Sequence, residues 1–350
     1  MKISYLLVVH ALMQKFEVVK AFFTQSIPNV SLSTIKNSNT FKSANILQRG
    51  YSSNRIISMQ STLSTNVRIA QEIASVIFDS RNLRELPVDK ETRNFPRQVP
   101  NAIFSKCQPT PVESPELIAC STDALELLGL RISENQEASS PNVLPEQTKK
   151  IIEEYFSGNK LLPGSNTYAH VYCGHQFGNF AGQLGDGAAI SLGQLVNGKD
   201  RWELQLKGAG LTPFSRTADG RKVLRSSLRE FLCSEAMHFL HIPTTRAATL
   251  VTSKSTVARD PFYDGRVLDE KCTVVSRIAP NFFRFGSFEI FKGDGGRKGP
   301  SAGNENLKKQ LLDHVLSYYP EIFKSDMEET EKYAAFYTVI TNKTAELVAR

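Results

Sequence analysis

The chain has 350 residues, 41% apolar and 22% charged, the composition of an ordinary globular protein of about two domains. Its formal charge of +7 sits almost wholly at one end, since residues 1–60 carry seven Lys/Arg and a single acid, Glu17; the basic balance is therefore no argument for a nucleic-acid partner. Five scattered cysteines without a CxxC pair signal neither a disulfide framework nor a zinc site.

In chain order, residues 1–51 read as a mitochondrial targeting segment. They are rich in Ser, Asn and Lys/Arg and nearly free of acid. They end in Arg49-Gly50-Tyr51-Ser52-Ser53, which resembles a presequence cleavage site. A secretory signal is the competing reading, because Ile3–Met13 is apolar after Lys2. That run is far shorter than the roughly 20 residues a transmembrane helix needs, so no transmembrane segment is expected.

Residues 66–79 have helical spacing, and residues 87–115, with their prolines, read as extended and irregular. Ser114–Leu130 reads as a short helix, with Pro115 at an early position and Gly129 at its end. Residues 131–150 are polar and read as a loop, and helix returns at Glu146–Phe156. Ala188–Leu195 and Arg201–Gly208 alternate apolar and polar around Asn197-Gly198, a strong hairpin signal. Val223–Leu240 is an amphipathic helix, with Leu224, Leu228, Phe231, Leu232 and Phe239 on one stripe. Thr244–Thr252 and Thr273–Ile278 read as strands. Phe291–Asn306, with five glycines, reads as an exposed insertion. Glu328–Arg350 reads as a helix that reaches the last residue without a stop signal, so the chain is expected to end mid-structure.

The chemistry centres on Gly174–Leu195 and the strand after it. Five glycines, including Gly185 and Gly187, fall within fourteen residues, as where backbone turns sharply or approaches a ligand. Two standard phosphate motifs fail here. Gly193–Asp200 matches GxxxxGK but ends in Asp where Ser/Thr is required, and Gly185-Asp186-Gly187 begins a GxGxxG whose third glycine is Ile190. A kinase-like arrangement fits better: a glycine-rich turn, a lysine on the next strands, and a glutamate on the following helix. Alternation puts Glu203, Gln205 and Lys207 on one face of a strand and Trp202, Leu204 and Leu206 on the other. Lys207 could then meet phosphate oxygens and Glu230 could orient it. On spacing alone an exposed lysine and a solvated glutamate remain open. Arg216, Arg221, Lys222, Arg225 and Arg229 either attract phosphate or coat a helix start.

The segments YAHVYCGHQFGNFAGQLGDGAAISLG, WELQLKGAGLTPFSRTADGRKVLRSSLREFLCSEAMHFL, HIPTTRAATLV and SRIAPNFFRFGSFE resemble the selenoprotein O family of protein adenylyltransferases, over roughly Asp79–Arg350. The resemblance implies an α+β, kinase-like fold of which this chain holds the N-lobe and the start of the C-lobe. It divides the chain into the targeting segment 1–51, an N-terminal extension 52–165, mostly helical and irregular, the nucleotide-binding N-lobe 166–290, and the incomplete start of a helical C-lobe, 291–350. It implies ATP contacts at Gly185, Gly187, Lys207, Asp219, Gly220, Arg277 and Arg284, with Glu230 orienting Lys207. It also implies ATP bound flipped relative to ordinary kinases, Mg2+ as cofactor, and transfer of AMP to Ser, Thr or Tyr hydroxyls of protein substrates. Where the family usually carries Gly-Asp-Gly-Arg-Ala, this chain has Ala188, so one contact to the nucleotide is expected to be lost. Family members continue past the equivalent of Ala345–Arg350 into a His-Gly-x-x-Asn-x-Asp-Asn loop and an Asp-Tyr-Gly. The catalytic Asp and the metal ligands are therefore expected beyond Arg350, and the chain as given is not expected to transfer AMP. The alternative is a non-catalytic, nucleotide-binding pseudokinase fragment. An ordinary protein kinase is disfavoured by the same resemblance.

Overall fold

A computed structural model describes residues 69–350, apart from 132–143, 294–295 and 325; the expected targeting segment and most of the expected 131–150 loop lie outside these. The elements in order are α1 (69–75), β1 (Ile77–Phe78), α2 (Arg81–Glu85), β2 (Phe104–Lys106), β3 (Glu116–Cys120), α3 (Thr122–Glu126), α4 (Glu146–Phe156), β4 (Tyr168–His170), β5 (Cys173–Gln176) and β6 (Asn179–Gln183). They continue with β7 (Ala189–Asn197), β8 (Asp200–Lys207), β9 (Lys222–Val223), α5 (Leu224–Phe239), β10 (Arg246–Arg259), β11 (Leu268–Ala279), α6 (Phe285–Glu289), α7 (Glu305–Leu316) and α8 (Glu329–Ala349). Nine strands form one sheet along the path β2-β4-β7-β8-β11-β10-β3, with β1 beside β7 and β9 beside β11; β5 and β6 form a separate hairpin. The ladders between these strands are antiparallel, the mixed architecture of an α+β protein.

The β7–β8 hairpin forms as its alternation predicts, but one residue along. Asn197 pairs with Asp200, so Gly198 and Lys199 make the turn, with Gly198 at φ +62°. A glycine at the first central position suits a tight hairpin turn. The Asn197 amide is drawn away to donate to the Glu126 carbonyl at 2.9 Å. β8 lies in mid-sheet between β7 and β11. Leu204 and Leu206 are wholly buried on one face, and Glu203 and Gln205 are also buried on the other.

Helix α5 crosses the sheet with Phe231 fully buried against Ala247, Leu250 and Val275, and Leu224, Leu228 and Leu232 packed beside it. Its far end is fixed by a buried ion pair: Arg246 Nη2 donates to Glu235 Oε2 at 2.8 Å, with side chains 8% and 1% exposed. Glu235 also accepts from the Ala247 N–H and the Ser121 hydroxyl.

Three expectations are corrected. Ser114–Leu130 is not one helix: its first half is strand β3, because Leu117–Cys120 pairs with Thr249–Val251 of β10, and only Thr122–Glu126 is helical. Long-range pairing overrides local spacing there. The 66–79 helix stops by residue 75, where Ile77 and Phe78 pair with β7. The Phe291–Asn306 insertion is not all exposed. Gly299 and Ser301 are buried, Ser301 N–H donates to the Ile290 carbonyl, and the Asn304 side chain caps α7, a helix the spacing did not reveal. Helix α8, expected as Glu328–Arg350, forms but buries none of its residues; Phe336 packs against Phe288 and Phe323.

The Arg246–Glu235 pair generates a prediction. Removing one partner leaves a buried charge uncompensated, which costs about 3–5 kcal/mol. Glu235→Ala should lower unfolding stability by that amount in urea titrations, whereas Arg225→Ala, which removes an exposed partner of Glu270, should leave the urea midpoint nearly unchanged.

Candidate nucleotide-binding site

Lys207 ends β8, opposite Ala189 of β7 and Val275 of β11. It is not the solvated lysine that spacing left open. Its side chain is 33% exposed and its Nζ donates to Glu230 Oε1 at 2.9 Å. Glu230 reaches it because α5 turns its Phe231 stripe to the sheet and leaves Glu230 at the edge of that stripe. The same carboxylate oxygen accepts from Arg277 Nη1. Arg277 is steadied by Thr245, Ser234 and the Arg246 carbonyl. Burial raises the pKa of Glu230, but Lys207 and Arg277 outweigh it and hold the carboxyl below its ordinary value. One carboxylate therefore serves two cations, and the cluster carries a net positive charge.

Gln205 extends this arrangement one pleat along β8. Its backbone partner is Arg277, and its Nε2 donates to Asp186 Oδ2 at 3.1 Å. Asp186 lies between Gly185 and Gly187 and is buried. It also accepts from the His170 N–H at 3.2 Å and from Arg284 Nη2 at 3.2 Å. Burial pushes its carboxyl up, opposed by Arg284 and His170. Arg284 is further held by the Phe282 carbonyl and lies 4.6 Å over the Tyr172 ring. Thus Lys207, Glu230, Arg277 and Arg284, far apart in the chain, share one polar line running through Gln205 and Asp186.

The glycines of the turn have a reason of their own. Gly185 has φ +70°, and a Cβ there would lie 2.3 Å from the Phe214 ring; one on Gly187 would lie 2.7 Å from the Phe214 carbonyl oxygen. The turn is narrow because the 212–215 loop clamps it, Thr212 Oγ1 donating to the Asp186 carbonyl and Ser215 Oγ to the Gly187 carbonyl.

Asp219 and Gly220 are placed differently. Asp219 receives both terminal nitrogens of Arg259, at 2.7 and 2.8 Å, and the Arg221 N–H. The Arg259 hydrogen bond leads in lowering its pKa. Gly220, at φ +70°, packs on the Gly210 carbonyl, which a Cβ would meet at 2.0 Å. The pair adjoins Lys222, whose stem packs at Gly208 and whose pKa is lowered by burial and by the neighbouring charge of Lys207. Among the described residues no group of three His, Cys, Asp or Glu is arranged to hold a metal. Asp186, Asp219 and Glu230 each face a basic partner, so they do not form a ready Mg2+ site. Burial pushes the thiols of Cys107, Cys120 and Cys173 up to about 12, which leaves them unreactive near neutral pH.

Asp186, Tyr172 and Arg259 escaped the sequence reading. A carboxylate between two turn glycines was a usable signal for Asp186. Nothing local marks Arg259, whose role depends on a loop folded against it.

Cations gathered at a narrow glycine turn, with one carboxylate between two of them, mark a candidate anion site on this α+β protein. The family model described as "Protein adenylyltransferase SelO" matches residues 96–350, and the chain belongs to that family. It is 55% identical over 291 residues to the Mus musculus "Protein adenylyltransferase SelO, mitochondrial", covering 79% of this chain and 42% of that protein. The Homo sapiens counterpart is 53% identical over 289 residues, with the same coverage. The Nitrosospira multiformis "Protein nucleotidyltransferase YdiU" is 49% identical over 274 residues, 78% of this chain and 45% of that protein. The family is thus one of nucleotidyl-transferring enzymes, and the chain spans less than half the length of these relatives.

The buried His170 sets a pH dependence. Burial, then the charge of Arg284, holds its imidazole well below its ordinary value. The unfolded chain takes up that proton near pH 6.5 and the folded chain does not, so stability falls as pH drops through this value. Asp186 and Glu203, whose carboxyls burial pushes up, act in the opposite sense. His170→Gln isolates the histidine: between about pH 7 and pH 5.5 the variant should lose less stability than the parent. Parallel pH profiles of urea midpoints would contradict this account.

Proposed function

We propose that this chain forms the ATP-binding part of a mitochondrial protein adenylyltransferase with a kinase-like lobe. The observation that carries the reading is Glu230 held between Lys207 and Arg277, with Arg284 at the glycine turn beside them. In this reading residues 166–290 are the nucleotide-binding lobe, 52–165 an extension that adds β1, β2 and β3 to its sheet, and 291–350 the start of a helical lobe. Lys207, Arg277 and Arg284 bind the phosphates, the 185–187 turn lies against them, and Asp219-Gly220 bounds the nucleotide. Glu230 keeps Lys207 and Arg277 aimed at the same point.

The reaction is transfer of AMP from ATP to a Ser, Thr or Tyr hydroxyl of a protein. The hydroxyl oxygen bonds to the α-phosphorus, the bond to the bridging oxygen breaks, pyrophosphate leaves, and the hydroxyl proton passes to a base. Fixed cations stabilise the charge on the transferred and leaving groups, and positioning supplies much of the remainder. Mg2+ would neutralise further phosphate charge. Ala188 contributes no cation at the turn, so binding depends more heavily on Lys207 and the two arginines. Mitochondrial residence rests on the basic, acid-poor residues 1–51 and on the names of the vertebrate relatives.

Calorimetric titration tests the site. The chain should bind ATP, and Lys207→Ala should weaken binding by about tenfold or more, as loss of a charge-assisted hydrogen bond implies. Unchanged affinity in that variant, or no binding by the parent, would remove the assignment. In the full-length protein, ATP labelled on its α-phosphate should label acceptors and ATP labelled on its γ-phosphate should not.

A further inference from the structure

A second cationic recess adjoins the glycine turn at Leu184 and at Phe214, the residue that packs on Gly185 and Gly187. It has a volume of about 630 Å³ and is lined by the tip and return strand of the β5–β6 hairpin, the 96–98 and 213–216 segments, and Arg297 and Lys298. None of the residues assigned above to ATP lines it. The volume falls in the range of about 300–1,000 Å³ typical of small-molecule sites. Among the described residues no carboxylate lines it, while Arg97, Arg216, Arg297 and Lys298 do.

These cations differ in availability. Arg97 is occupied by Asp89 at 2.6 Å and by neighbouring carbonyls. Arg297 donates one nitrogen to the Ala181 carbonyl, which leaves the rest of its guanidinium toward the recess. Neither Arg216 nor Lys298 is paired with a carboxylate among the described residues, and both are exposed.

Arg216 is also held in an unusual backbone. Its φ is +56°, a conformation that a long non-glycine side chain adopts at an energetic cost. The cost is sustained by the clamp that joins the 212–215 loop to the carbonyls of Asp186 and Gly187. The backbone of Arg216 therefore follows directly on the clamped loop, and its side chain lines the recess. Tyr172 lies between the two regions: Arg284 sits over its ring. Burial and Asp186 push its phenol up, while the charges of Arg284 and Arg216 both oppose them.

We infer that this recess is a binding site for inorganic pyrophosphate, the product that AMP transfer must release, held by Arg216, Arg297 and Lys298. The identity of the ligand rests on the function proposed above; the anion chemistry rests on the recess itself. Guanidinium groups bind phosphate oxygens two at a time, and Arg216 and Arg297 with one ammonium match a compact ligand of two phosphate groups. A site adjoining the turn gives the leaving group a cationic place to move into, separate from the one where the next ATP binds.

The test uses calorimetry on the full chain carrying Lys207→Ala, which weakens the nucleotide site. Inorganic pyrophosphate should still bind saturably to this variant. Adding Arg216→Gly, which suits the +56° backbone, together with Lys298→Ala should weaken pyrophosphate binding about tenfold or more. Thermal melts check that the protein stays folded. The pair of substitutions in the parent background should leave ATP affinity within about twofold, because the groups are separate. Absence of saturable pyrophosphate binding, or equal affinity with and without Arg216 and Lys298, overturns the proposal. Tighter binding of a tetraglutamate peptide than of pyrophosphate overturns it in favour of an acidic protein segment. Pyrophosphate binding with no ATP binding by the parent would overturn the proposed function and leave the recess as an anion site. ATP binding without pyrophosphate binding would overturn the recess alone.

Discussion

A lysine at the end of a mid-sheet strand is held in place where a carboxylate meets it in a charge-assisted hydrogen bond. Lys207 finds Glu230, and much of the surrounding structure serves to bring that carboxylate to it. Helix α5 is seated on β10 and β11 by Phe231 and its leucine neighbours, and its far end is tied by Glu235 to Arg246. With both contacts made, Glu230 falls over the mid-sheet strands β8 and β11, between Lys207 and Arg277. Two cations against one carboxylate leave this cluster with a surplus of positive charge.

The same economy governs the glycine turn. It is narrow because Phe214 and the Thr212 and Ser215 hydroxyls press on it, and Asp186 at its centre links Gln205 of β8 to Arg284 after β11. Further along β8, buried Glu203 accepts from Tyr168, Ser191 and the Phe282 N–H. The 282–284 segment, and Arg284 with it, is thereby anchored to the strand that carries Lys207. One polar face of β8 thus organises both ends of the candidate site.

Much of this was legible locally. Alternation placed Glu203, Gln205 and Lys207 together, and Asn-Gly marked the β7–β8 hairpin to within one residue. The stripe through Leu224, Leu228 and Phe231 marked α5. Illegible were features fixed by partners distant in sequence. β3 is a strand because β10 pairs with it. Asp219 is held by Arg259 across a folded loop. Asp186 is buried because the sheet and the 282–284 segment close over it, which spacing cannot show.

By itself the sequence determined which residues share a strand face or helix stripe, since those follow from the fixed repeats of backbone geometry, and its long motifs determined the family. Only the tertiary structure decided which charges meet. Whether Lys207 was solvated or paired, and what packs against the turn glycines, depended on distances between segments far apart in the chain. Those distances are set by packing and burial, and no local period encodes them.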